Sequence, residues 1–146
     1  MSIKRAVLAM GLAVGMSGAA WAGTPATGLG QAWPNATDVS VSPNFHAYVF
    51  VIRGIQYIQI NDAAGHVLGA VGNAGGQYIV LPVGKYAQQV STPQQTATTA
   101  AQPVASPTTV YSDGTTQVTA TPLSDGTTAL STAAACDPVD CASRGP

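Results

Sequence analysis

The chain has no glutamate, and lysine and arginine together number five among its 146 residues. Nucleic-acid binding needs clustered bases to displace counterions from phosphates, so this scarcity excludes a nucleic-acid partner. Cysteine occurs twice, at Cys136 and Cys141. Their spacing does not make a C-x-x-C redox motif, and no neighbouring pair of Cys or His completes a tetrahedral zinc site. After residue 22 no apolar run is long enough to span a bilayer, so no stable membrane anchor is expected in the processed chain. G-x-S-x-G, H-E-x-x-H and S-x-x-K are all absent; without them there is no recognisable catalytic constellation, and an enzyme is not expected.

What is present begins with an export signal. Lys4 and Arg5 supply a positive start, residues 6–19 are apolar and loosened by Gly11, Gly15 and Gly18, and Ala20-Trp21-Ala22 fits an A-x-A cleavage site. Residues 1–22 are therefore read as a signal peptide cleaved before Gly23, and the product as periplasmic or secreted. A retained membrane anchor is the alternative, but the apolar run is short for that role. Processing leaves Arg53, Lys85 and Arg144 against six aspartates, a mildly acidic balance. In an oxidising compartment Cys136 and Cys141 are expected to form a disulfide, with Asp137-Pro138 turning the chain between them.

Residues 23–43 are rich in Gly, Pro, Ala, Asn and Ser and read as an extended segment, with a short edge strand at Val39-Ser40-Val41. The character changes over residues 44–90. Phe45–Ile52 is a β-branched and aromatic run, Arg53-Gly54 a turn, and residues 55–60 a second run. Asp62-Ala63-Ala64-Gly65 reads as a hairpin loop, residues 67–71 as a third strand, Asn73-Ala74-Gly75-Gly76 as a loop, and residues 77–81 as a fourth strand stopped by Pro82. The expected fold is mainly β: a small four-stranded antiparallel meander, as an open sheet or a partly closed barrel.

A two-residue turn at Arg53-Gly54 fixes a testable register. It sets Ile52 opposite Ile55, Phe50 opposite Tyr57 and Tyr48 opposite Gln59 on one face. Val51, Val49 and Ala47 then oppose Gln56, Ile58 and Ile60 on the other, and Val67 lies beside Ile60. One face is aliphatic and the other aromatic. A sheet with one wet face should alternate apolar with polar residues, yet Tyr48-Val49-Phe50-Val51-Ile52 and Tyr78-Ile79-Val80-Leu81 are apolar on both sides. The second face therefore needs a cover: barrel closure, a later hairpin, or another molecule.

Residues 91–109 are Thr, Gln, Ala, Pro and Ser without a charge, which predicts a flexible or extended linker. In residues 110–132, Tyr111-Ser112-Asp113-Gly114-Thr115-Thr116 is echoed by Leu123-Ser124-Asp125-Gly126-Thr127-Thr128. Each Asp-Gly suits a type I′ turn, so one or two weak hairpins are expected, packed on the meander or free of it. Residues 133–146 read as a tail. Composition alone thus predicts a low-complexity, largely disordered C-terminal region.

His46 and His66 are the sole side chains able to act as bases near neutrality, and neither has a partner set by a motif. The glycines from Gly65 to Gly72 lack the Lys-Ser/Thr and helix of a nucleotide loop, and each Asp-Gly repeat offers one carboxylate where calcium needs six or more oxygens. No cofactor or metal is expected. The sequence leads us to expect an exported, non-catalytic binding or assembly module of the cell envelope. Tyr48, Phe50, Ile52, Tyr57, Tyr78 and Val80 form the candidate interaction surface, for a second copy or an envelope protein, through a sheet face or edge. The alternative is binding of a cell-wall glycan or other polar polymer by those aromatics with Gln56 or Gln59.

Overall fold

The β-branched and aromatic residues of Phe45–Ile52 form β1, the first strand of a computed structural model that describes residues 25–135. β2 (Ile55–Asp62), β3 (Val67–Ala74) and β4 (Gln77–Val80) follow in spatial order, giving an open antiparallel meander. Arg53 and Gly54 have φ of 52° and 79°, the two positive values that a type I′ hairpin requires. The β1–β2 register is accordingly the expected one, with Phe50 opposite Tyr57 and Tyr48 opposite Gln59. The next hairpin departs from expectation. A bulge at Leu68 puts Val67 opposite Asn61 and Gly69 opposite Ile60, because one extra residue on β3 is left unpaired. β3 also runs three residues beyond its expected end, to Ala74, since Gly75 and Gly76 alone make the turn at φ of 61° and 88°.

The aliphatic face of the meander is covered by a second sheet. β5 (Val90–Ser91), β6 (Thr108–Ser112), β7 (Thr116–Pro122) and β8 (Thr128–Ala134) are arranged in the order β5-β8-β7-β6. Ala47, Ile58, Ile60 and Val71 of the meander meet Val90, Val110, Val118, Ala120 and Leu130 in one core. Burying each large aliphatic side chain there contributes about 1.5–3 kcal/mol. Gly69 is required in this layer: a Cβ would lie 2.7 Å from the Val90 side chain and 3.1 Å from that of Leu130. In β7, Thr116, Val118 and Ala120 point inward while Gln117, Thr119 and Thr121 alternate toward solvent, the pattern of a sheet with one wet face.

A largely disordered region after the meander does not describe residues 108–134. Composition undercounts their stability because small Thr, Ala and Val side chains bury well when half of them face a preformed apolar sheet. Each Asp-Gly repeat supplies one hairpin turn, although not of type I′, since the glycine alone has positive φ: Gly114 at 87° and Gly126 at 80°. Asp113 Oδ1 accepts from the Thr115 and Thr116 amides and the Thr115 hydroxyl, and Asp125 Oδ1 does the same for the amide and hydroxyl of Thr127. Local side-chain acceptance of this kind defines an Asx turn. Residues 91–109 are extended, and they are held by hydrogen bonds from the Thr98 amide to Gln88 O, from Ser124 to Gln102 O and from Val104 to Pro122 O. Residues 1–24, which include the expected signal peptide, and residues 136–146, which include Cys136 and Cys141, lie outside the described residues.

Parts of the sandwich's edges are occupied. Residues 38–41 lie along β1, with the Val39 amide donating to Ala47 O, and reach across to the second sheet, where the Val41 amide donates to Val110 O. On the opposite side the Lys85 and Tyr86 amides donate to Val67 O and Leu68 O, and Gln94 Oε1 accepts from the Tyr78 amide on the outer edge of β4. Gly84 makes this return possible: its φ is 100°, and a Cβ would lie 2.6 Å from the backbone of Leu68 and Gly69. Gly84→Ala is therefore expected to lower stability by about 3 kcal/mol, combining backbone strain with overpacking. Gly126→Ala, at a position with no atom within 4 Å of a built Cβ, should cost about 1 kcal/mol. Urea unfolding midpoints of the two variants test this order.

Candidate functional site

The aromatic face of the meander is crossed by residues 27–36, and two strand amides hold them there. Gln59 and Asn61 alternate with Ile58 and Ile60 on β2, so both project onto the outer face, where each is fully buried. Gln59 Oε1 accepts from the Gly30 amide at 2.7 Å, and its Nε2 donates to Gln31 O at 2.8 Å and to Asn61 Oδ1 at 2.9 Å. Asn61 Nδ2 donates to Ala32 O and to Gly65 O. Four amide protons and both oxygens thus find partners, which a buried amide requires if its desolvation is to be offset. The cover on this face is thus an upstream segment of the same chain, not barrel closure, a later hairpin or another molecule, and Gln59 is engaged in holding it.

The clamp presents Trp33. The residue follows Ala32 directly, and its indole lies on Gly65, where any Cβ would run into the ring. Gly65 has φ of 89° and closes the β2–β3 loop. The indole meets His46 edge to face, with ring centroids 5.3 Å apart, and His46 lies nearly parallel to Tyr48 at 6.3 Å. Despite these supports Trp33 is 60 % exposed, so an aromatic surface held from beneath and from the side is open to solvent.

Two histidine–aspartate pairs flank the ring. His46 Nδ1 is 2.7 Å from Asp38 Oδ2, and His66 Nδ1 is 2.9 Å from Asp62 Oδ2. The two histidines lie at the same end of the meander, and each has an acidic partner that no motif announced. Partial burial opposes ionisation of Asp38, but bonds from His46 and from the Ala47 and Ser40 amides outweigh it and hold the carboxyl at about 2. Burial likewise opposes Asp62, and bonds from the His66 ring and amide bring it below its ordinary value. Tyr48 is raised by burial and by the Asp38 charge. Beyond Asp62 a cleft of about 420 Å³ is lined by Asn44, Phe45, Leu68, Tyr86 and Thr128. Among the described residues no group of three or more His, Cys, Asp or Glu is placed to hold a metal ion.

The structure separates the six residues expected to form one surface. Tyr48 and Phe50 are buried on the outer face, whereas Ile52 is exposed on it beside the half-buried Tyr57. Tyr78 and Val80 point the other way. Tyr78 Oη shares a hydrogen bond with Thr116 Oγ1 of the second sheet, and Val80 packs against the core. Gln56 is also turned inward, toward Tyr111 Oη and Asp113. Trp33 and Asp38 were missed. The available signal was a single large aromatic in a segment of Gly, Ala, Asn and Pro, with no periodicity that could bury it.

Comparison with protein-family models, with curated proteins and with solved structures finds no match for this chain.

Asp38 links the site to stability. Its folded value of about 2 lies below the ordinary 3.8, so the fold favours the ionised form. The stabilisation is complete above about pH 5 and is lost as pH falls through 4 toward 2. Thermal unfolding followed across pH 2–6 should show this loss, reduced by solvent screening of a partly exposed pair, and Asp38→Asn should flatten the acid limb.

Proposed function

We propose that the protein is an exported, non-catalytic binding protein that takes a glycan or similar polar polymer on the Trp33 platform. The observation that carries this reading is a 60 % exposed indole on a segment whose backbone at Gly30, Gln31 and Ala32 is held by the fully buried amides of Gln59 and Asn61. Ordering an exposed aromatic in advance removes the entropy that a ligand would otherwise have to offset on binding. A sugar ring presents a flat C–H face to an indole and hydroxyls to its rim, which is the combination of apolar face and polar edge that exposed aromatics recognise. His46 stands at that rim with Asp38 behind it, placed to exchange hydrogen bonds with a sugar hydroxyl. The site differs from the one expected from sequence, in which Tyr48, Phe50 and Tyr57, with Gln56 or Gln59, were to contact the polymer.

Retention on insoluble cell-wall polysaccharide tests the reading. Trp33→Ala should reduce retention about tenfold or more, as removal of a central aromatic contact does elsewhere, while the unfolding temperature stays within a few degrees. Equal retention of the two proteins would exclude the platform.

A second reading, assembly with a second copy, is favoured by one feature. Residues 27–36 are clamped over the half of the outer face carrying Gln59 and Asn61, whereas Ile52 and Ile79 at the other half are 45 % and 57 % exposed. Tyr57 lies between their strands beside Gly72, so the three side chains make an apolar patch, suited to a symmetric self-contact. Sedimentation velocity should then give a dimer that Ile79→Asp converts to monomer; a monomer at all concentrations would dismiss it.

A further inference from the structure

The charges around Trp33 are of one sign. Asp38 lies behind His46, and Asp62 lies behind His66, the residue after the Gly65 on which the indole rests. Both carboxylates already receive hydrogen bonds, Asp38 from His46, Ala47 and Ser40 and Asp62 from the His66 ring and amide. These bonds fix the negative charges in place without cancelling them while the histidines are neutral.

The two bases among the described residues are Arg53 and Lys85, and Lys85 is the nearer, its amide bonded to Val67 O beside His66. Arg53 sits at the far turn of the β1–β2 hairpin, seven residues along the strand from His46 and so roughly 20 Å away at strand rise. Lys85 holds its ammonium over the Tyr86 ring, 5.3 Å from the centroid. Among the described residues neither base forms an ion pair with Asp38 or Asp62, and carboxylates within about a Debye length of the indole keep part of their field at ordinary salt. An indole face adds its own attraction for positive charge, through the negative potential above the ring.

We infer that the platform, on the reading that it binds a glycan, selects polymers whose sugars carry protonated amines over neutral ones and rejects polymers of acidic sugars. An ammonium group stacked at Trp33 gains from the ring and from both carboxylates. A uronic-acid polymer brings its own carboxylates into the same field and meets repulsion, which suppresses binding as like-charge contacts do at interfaces. An N-acetylated sugar keeps the stacking and loses the charge term.

Calorimetric titration of the exported protein with soluble oligomers of glucosamine, N-acetylglucosamine and a uronic acid separates the two layers of the argument. The amine-bearing oligomer should bind about threefold or more tightly than the N-acetylated one, as expected for a cation at an indole, and the uronic-acid oligomer should not bind measurably. Added salt should shrink that ratio, and so should Asp38→Asn, in which the amide oxygen can still accept from Ala47 and Ser40. Equal affinity for all three oligomers, with Trp33→Ala still weakening each, would overturn the charge selection and leave the platform standing. Binding that does not depend on Trp33, or no binding of any oligomer, would overturn the platform and this inference with it.

Discussion

Two buried amides on the central strand of the meander decide what the rest of the molecule can do. Gln59 and Asn61 have no exposed surface, and an unpaired amide in that position would cost about 1–3 kcal/mol. Their partners are backbone groups of Gly30, Gln31, Ala32 and Gly65. The strand is therefore completed by a piece of chain that has no regular structure of its own. That chain shields part of a face which would otherwise be apolar and bare.

The two faces of the meander are covered by opposite means. On the aliphatic side the second sheet interlocks side chain with side chain around Ile58, Ile60, Val118 and Leu130, a non-directional contact that tolerates small shifts. On the aromatic side the cover is directional: three hydrogen bonds fix backbone groups of residues 30–32. Directional fixing places Trp33 on Gly65 and against His46, and it is what distinguishes a positioned aromatic from one left on a loose loop. The binding reading and the charge selection both grow from this difference.

Much of the fold was legible because β-hairpin rules are local. Arg53-Gly54 and the flanking apolar runs were enough for the strands and for the β1–β2 register, since a two-residue turn leaves one alignment. The bulge at Leu68 was not legible, because nothing local distinguishes an unpaired residue from a paired one. The second sheet was obscured by composition: Thr, Ala and Ser appear unable to form a core until a preformed sheet offers them one. Two faces of unlike character were read correctly, yet the inference that Tyr48 and Phe50 were available for contact failed. Both are buried, on a face that residues 27–36 cross, and the Gly and Pro content of that segment carries no periodic signal. A polar Gln59 within an apolar run was itself the clue, since it had to be paired once buried, but the sequence does not say with what.

Residue-resolved hydrogen exchange of the Gly30 amide tests the clamp most directly. The account predicts that Gly30, although it lies in a segment without regular structure, exchanges as slowly as the amides at the centre of β2. In Gln59→Ala it should exchange near the open-chain rate while β7 and β8 stay protected. Rapid exchange of Gly30 in the unaltered protein, alongside a protected β2, would contradict it.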